Sequence, residues 1–227
     1  EMLLVKYKKC YLTGCDSNTE WQLPWFLENW QRDSGVPILI ADFGMSEEML
    51  GHLHQHPTYM KRMQIFSFDS PVTGWFKKPR AIWAATKMST QVCWLDTDCQ
   101  IDGKIDTIWD HFRSDVLNMV KDRPWTERRP ENGDWYNSGV VMTDRNEVLR
   151  QWMKKTESDP DQGDQEVLHY MLTPIEKVGK INPLPHKYNT LRIDYIDNIA
   201  VPNPIVIHHT GHKGNDKIRQ MMGNVYA

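Results

Sequence analysis

Apolar positions along the chain follow two alternating patterns. Short unbroken runs at residues 9–14, 36–41, 63–68 and 91–95 read as strands, the second and fourth buried on both faces. Between them, apolar residues recur every three or four positions. That spacing predicts a helix through Trp25, Phe26, Leu27 and Trp30, a short one from near Ser46 to His54, and one over 81–88. Pro24 fits the first of these only in its opening turn. Strands alternating with helices imply crossover connections, hence an α/β domain with a largely parallel, mixed sheet flanked by helices. Ligands of such sheets bind beyond the carboxyl ends of the strands, where Gly14-Cys15-Asp16 and Asp96-Thr97-Asp98 fall.

The pattern weakens further on. Residues 122–134, rich in Pro, Arg, Glu and Gly, read as an exposed loop. A strand is expected at 136–142, an amphipathic helix at 145–155, a polar turn at Asp159-Pro160-Asp161, and a helix at 165–172. The Pro-rich final third reads as irregular apart from the apolar run 205–207.

Composition narrows the field. The 227 residues suit one domain spanning 1–227. Hydrophobic residues at 40% and charged ones at 25% exclude disorder over most of that length. A net charge of −3 lacks the basic excess expected of a duplex nucleic-acid binder, so no nucleic-acid partner is expected. No apolar run reaches membrane-spanning length, and the start, Glu1-Met2, carries no secretory pattern and is compatible with a trimmed fragment. Cys10, Cys15, Cys93 and Cys99 lack zinc-finger spacing and read as reduced structural thiols, which points to the cytoplasm. Ten tryptophans supply core and possible platforms for sugar rings.

Three constellations carry candidate chemistry. In Asp96-Thr97-Asp98, two acids two residues apart end an apolar strand, where an extended backbone would aim both at one hard cation. A polar strand exit is the plainer alternative. His208-His209-Thr210-Gly211-His212-Lys213-Gly214 follows an apolar run; an imidazole can complete a carboxylate–His shell for Mn²⁺ or a similar ion such as Mg²⁺. Its glycines allow close approach to a diphosphate and Lys213 can neutralise it, unless the segment is a solvated tail. Third, Asn137-Ser138-Gly139 and Asp164-Gln165 offer groups suited to sugar hydroxyls, although a turn and a helix N-cap would use the same residues.

Taken in order, these segments resemble glycosyltransferase family eight, the retaining enzymes of the Rossmann-like GT-A fold, from about Tyr11 to Lys217. The resemblance implies that Asp96, Asp98 and His208 hold the metal, with Thr97 between the acids. It implies a donor-sugar contact at Asn137 and Ser138, and Asp164 with Gln165 beside the anomeric carbon as the catalytic pair. Thr13, Gly14, Cys15 and Asp16 would hold base and ribose. Arg80, Gly211 and Lys213 would face the diphosphate. The implied donor is a nucleotide sugar, most often a UDP-sugar, and the acceptor a glycan, lipid-linked or protein hydroxyl. Lys213 stands one residue early against the family's pattern, and Lys217 could substitute for it. The rivals are a nucleotide-sugar or glycan-binding module without turnover, and an aspartyl-phosphate phosphatase, whose flanking motif Cys99-Gln100 does not match.

Overall fold

The computed structural model describes residues 6–56, 61–159 and 161–225; Glu1, Met2 and Pro160 lie outside them. The strands are β1 (Tyr7–Cys15), β2 (Ile38–Asp42), β3 (Met63–Phe66), β4 (Ser89–Leu95), β5 (Cys99–Ile101), β6 (Leu117–Lys121), β7 (Tyr136–Thr143), β8 (Ile181–Pro183), β9 (Thr190–Leu191) and β10 (Val206–His208). The helices are α1 (Leu23–Asp33), α2 (Glu47–Gln55), α3 (Lys78–Ala85), α4 (Arg123–Arg128), α5 (Glu147–Ser158), α6 (Asp164–Met171), α7 (Pro174–Lys180), α8 (Arg192–Ile196) and α9 (Gly211–Val225). Seven strands form one sheet in the order β3-β2-β1-β4-β7-β6-β8, and β5-β10-β9 form a second. The first four pair in parallel, β7 runs antiparallel to β4 and β6, and β8 is parallel to β6.

The central strands bury both faces, which explains their unbroken apolar runs. On β4, Cys93 and Leu95 enter one core with Tyr11, Trp30 and Trp109, while Val92 and Trp94 enter the other with Ile82, Leu149 and Trp152. This alternation is the two-residue period of a strand. Pro24 does sit in the first turn of α1, whose Trp25, Phe26, Leu27 and Trp30 are buried. Ser46 caps α2 by accepting from the Met49 amide.

Two expectations need correction, and one strand was not expected. Residues 122–134 contain α4 rather than only loop: Asp122 caps it, and Pro124 sits in its first turn. The final third is not irregular, because α7, α8, α9 and three short strands lie there. Last, β6 carried no expectation. Asn118 interrupts its apolar run, yet is fully buried because its amide donates to the Arg113 and Met142 carbonyls.

Topology brings distant residues to one edge. Because β7 is antiparallel to β4, its beginning lies beside the end of β4: Leu95 pairs with Val140, and the Asp96 amide donates to the Gly139 carbonyl at 2.9 Å. The small sheet sets His208 opposite Cys99.

A two-lobed cleft as the candidate active site

Asp96-Thr97-Asp98 is a tight turn, not extended strand; the Cys99 amide donates back to the Asp96 carbonyl at 3.1 Å. The Thr97 hydroxyl donates to Gln22 Oε1 at 2.6 Å. Gln22 in turn donates to Asn215 on α9, so the turn is tied to both ends of the chain.

Beside the turn lies His208, buried and held at both nitrogens. Nδ1 faces the side-chain carbonyl oxygens of Asn137 (3.2 Å) and Asn189 (3.1 Å), which only an N–H can satisfy. Nε2 therefore faces the carboxylates, 3.0 Å from Asp98 Oδ1 and 3.7 Å from Asp96 Oδ2. Burial alone pulls the His208 pKa down, but Asp98 and Asp96 outweigh it, and the net shift is upward. Gly139 makes room for this ring, since a Cβ there would collide with His208.

A buried lysine binds the other half of the site. Lys78 Nζ lies 2.9 Å from Asp96 Oδ1 and 3.4 Å from Asp164 Oδ2, and donates to the Ser138 carbonyl and hydroxyl at 3.3 Å. Burial lowers the lysine's pKa, yet Asp164 and then Asp96 reverse this, so the ammonium stays charged. Asp96 answers in kind: burial raises its pKa, while Lys78 and His208 bring it below the usual carboxylate value. Asp164 Oδ2 is buried and lies within ion-pair range of Lys78, but accepts no hydrogen bond among the described residues. It opens the first turn of α6, where a carboxylate is favoured by the helix dipole.

Asp122, 1% exposed, unites the rest. One oxygen accepts from the Trp125 amide at 3.0 Å; the other accepts from Asn137 (3.0 Å) and Gln165 (2.9 Å) side chains. Gln165 Oε1 accepts from the Ser138 amide at 3.1 Å.

These side chains line a cleft of two lobes that share Trp75, Lys78, Asp96, Asp98 and Gly211. One lobe, about 660 Å³, is walled by Gly14, Cys15, Asp16, Gln22 and Thr97. The other, about 550 Å³, holds Asn137, Ser138, Asp164, Gln165 and His208 and runs outward to Trp125 and Arg128. Most sequence-derived site residues therefore converge. Three do not. Thr13 is buried inside β1 and borders neither lobe. Arg80 forms a two-pronged pair with Glu157, Nη2 at 2.7 Å, and Lys78 stands at the site instead. Lys213 is exposed in the first turn of α9 and also lines neither lobe. Lys78, Gln22, Asp122 and Asn189 went unread; only the apolar strand before Asp122 could have hinted at a buried acid.

The donor set fits a divalent cation. A neutral imidazole whose Nδ1 carries the proton points its Nε2 lone pair at two carboxylates, and a bridging proton or metal must relieve that contact. Among the described residues, Asp98, Cys99 and His208 bring a donor atom each within 4.8 Å of one another. Burial, with Asp98 and Asp96 adding to it, holds the Cys99 thiol well above its usual pKa, and a hard divalent cation prefers carboxylate and imidazole to thiol.

Comparison with known proteins decides the family. Residues 72–221 match the family of nucleotide-diphospho-sugar transferases. The chain belongs to that family. It is a glycosyltransferase of the family-eight type, with the GT-A fold. The galactosyltransferase LgtC, in complex with donor and acceptor sugar analogs, is similar over 95% of both chains with a TM-score of 0.66 at 15% identity. The glycosyltransferase GlyE of Streptococcus pneumoniae TIGR4 matches 90% of this chain and 56% of its own, TM-score 0.64 at 14% identity. Mouse xyloside xylosyltransferase 1 covers 90% and 97%, TM-score 0.55 at 10% identity. At these identities the likeness is one of fold. No curated protein matches the chain in sequence. No helix among the described residues is long and apolar enough to cross a membrane.

Proposed function

We propose that the chain is one metal-dependent, retaining transferase domain that moves a hexosyl group from a UDP-sugar to an acceptor hydroxyl on a glycan, lipid-linked or protein acceptor. One observation carries this reading: two lobes meet at a turn whose acids face a buried imidazole on one side and a buried ammonium on the other. Asp96, Asp98 and His208 would hold Mn²⁺ or Mg²⁺, which as a Lewis acid stabilises the leaving diphosphate. The lobe beside Gly14, Cys15 and Asp16 suits base and ribose, with Gly211 allowing close approach of the diphosphate.

Lys78 takes the role first assigned to Arg80, adding fixed positive charge where the diphosphate oxygens gain negative charge. Asp164 Oδ2, lacking a hydrogen bond, can accept one from a sugar hydroxyl, and Gln165 and Asn137 are held beside it by Asp122. The bond from the anomeric carbon to the diphosphate breaks and a bond to the acceptor oxygen forms on the same face. The acceptor's proton leaves with the diphosphate. The four free, buried cysteines support a reducing, cytoplasmic setting.

Calorimetric titration of UDP with Mn²⁺ tests the reading. Asp98→Ala is expected to weaken Mn²⁺-dependent UDP affinity by roughly 100-fold with the melting temperature kept, given the size of metal contributions. Unchanged affinity would remove the metal from the proposal.

A further inference from the structure

The outer end of the second lobe has a chemistry that the transfer reaction does not require. Trp125 lines it and is 38% exposed. Its ring stacks on Trp135 at 5.3 Å and 28°, and Trp135 stacks on His169 at 3.7 Å and 8°. The platform is thus fixed before anything binds. It is also tied to the reacting groups, because Asp122 accepts from the Trp125 amide and from the Gln165 side chain.

Two arginines border this platform. Arg129 lies over the Trp125 ring at 4.6 Å and pairs with Glu166 at 3.3 Å, so its charge is balanced locally. Arg128 is exposed, lines the same lobe, and has no hydrogen bond or ion pair for its side chain among the described residues. Its neighbour Glu127 is already held by Arg123 at 2.7 Å. The chain carries a net charge of −3, yet this lobe exposes an unmatched guanidinium next to an aromatic face. A guanidinium recognises carboxylate or phosphate oxygens in two-pronged fashion, and an indole face stacks on a sugar ring.

Resting on the transferase reading, we propose that this lobe selects an anionic acceptor: a sugar ring packed against the exposed part of Trp125 whose carboxylate or phosphate group is bound by Arg128. Trp125 supplies ring affinity and Arg128 supplies the preference for charge. A helix C-terminus also favours a cation through its dipole, but that role would serve any acceptor equally.

The test uses the whole protein saturated with UDP and Mn²⁺. Methyl glycosides of glucose, galactose and mannose are titrated calorimetrically, each as the neutral sugar, the uronate and the 6-phosphate. For at least one ring, an anionic form is expected to bind roughly tenfold tighter than its neutral parent. Arg128→Gln is expected to bring the two within about twofold, and Trp125→Ala to weaken all forms while the preference stays. Comparing uronate with phosphate tells which anion the guanidinium takes. Equal affinity for neutral and charged rings, no binding of any anionic ring, or a preference that survives Arg128→Gln overturns the proposal. UDP affinity in the same samples reports separately on the donor: its absence would sink the transferase reading and leave the glycoside comparison standing on its own.

Discussion

The inner and outer walls of the cleft are built on different principles. At the inner wall the charges around the turn answer one another: Asp96 has Lys78 and His208, Asp98 has His208, and Lys78 has two carboxylates. Sheet hydrogen bonds fix its backbone, as where the Asp96 amide meets the Gly139 carbonyl. The outer wall is held by ring stacking on the six-residue helix α4 and leaves Arg128 unmatched. Balanced, buried charge keeps a site shaped for one reaction; an unbalanced surface charge leaves room for choosing a partner.

The comparison breaks most visibly if Lys78 is removed. Lys78→Met leaves Asp96 and Asp164 without their shared cation, and kcat/KM is expected to fall by roughly 10²–10³. Arg80→Met, two residues on, is expected to lower stability slightly through the lost Glu157 pair while turnover stays within about twofold. Steady-state kinetics on the two variants decides the matter, and similar losses in both would return the diphosphate role to Arg80.

That pair shows what the sequence made legible and what it hid. Asp96, Asp98, His208, Asp164 and Gln165 end or begin regular elements, so local patterns locate them. Lys78 and Arg80 are both basic and lie at the start of one helix. Two residues along a helix is a turn of about 200°, and only the packing of α3 against β4 says which one points inward. Asp122 was equally hidden, inside a segment whose Arg, Pro and Gly content reads as loop. In α9 three glycines and the Asn215-Asp216 pair mask a helix that tertiary contacts sustain, with Ile218 fully buried and Gln22 bonded to Asn215.

A smaller effect is expected from Asn189, which acts on the inner wall through His208. Asn189→Leu removes an acceptor at Nδ1 and loosens the tautomer that aims Nε2 at the acids. Mn²⁺-dependent UDP affinity should fall by about tenfold, less than in His208→Ala and more than in His209→Ala or His212→Ala. Isothermal titration of the four variants gives the order. If all three histidine substitutions behave alike, the segment is not a ligand-bearing one.

Asp164→Asn sharpens the same division within the inner wall. Asp164 lines the second lobe and not the first, although Lys78, which borders both, lies 3.4 Å from its Oδ2. Turnover should fall by roughly 10²-fold with UDP affinity within about twofold, because the interaction matters chiefly as the anomeric centre becomes electron-poor. A parallel loss of UDP binding would move Asp164 to the nucleotide.

The smallest expected effect is a pH dependence confined to the outer wall. His169 Nε2 lies 3.1 Å from the Glu131 carbonyl and so carries the proton, while Nδ1 accepts from Lys177 Nζ at 2.9 Å. Burial first, and then the Lys177 charge, hold the His169 pKa below its usual value. Burial likewise pushes Lys177 down to about 8, against a weaker upward pull from Asp134. In both cases the unfolded chain binds more protons than the folded one across the shifted window, so stability rises with pH there. For His169 the contribution is complete above the ordinary histidine pKa and is lost as pH falls through the lower folded value. For Lys177 it is complete above the ordinary lysine pKa and is lost as pH falls through about 8. The acid loss from His169 rests on a single proton and is expected to be the smallest of these effects. Protonating Nδ1 would set cation against cation beneath Trp135 and so disturb the Trp125 platform, but not the Asp96–His208 wall. Urea midpoints at pH 5 and pH 7 should therefore differ more in the parent protein than in His169→Gln. Acceptor KM should rise in acid with UDP affinity little changed beyond its metal dependence. Identical pH profiles for parent and His169→Gln would show that the ring stack owes nothing to this proton.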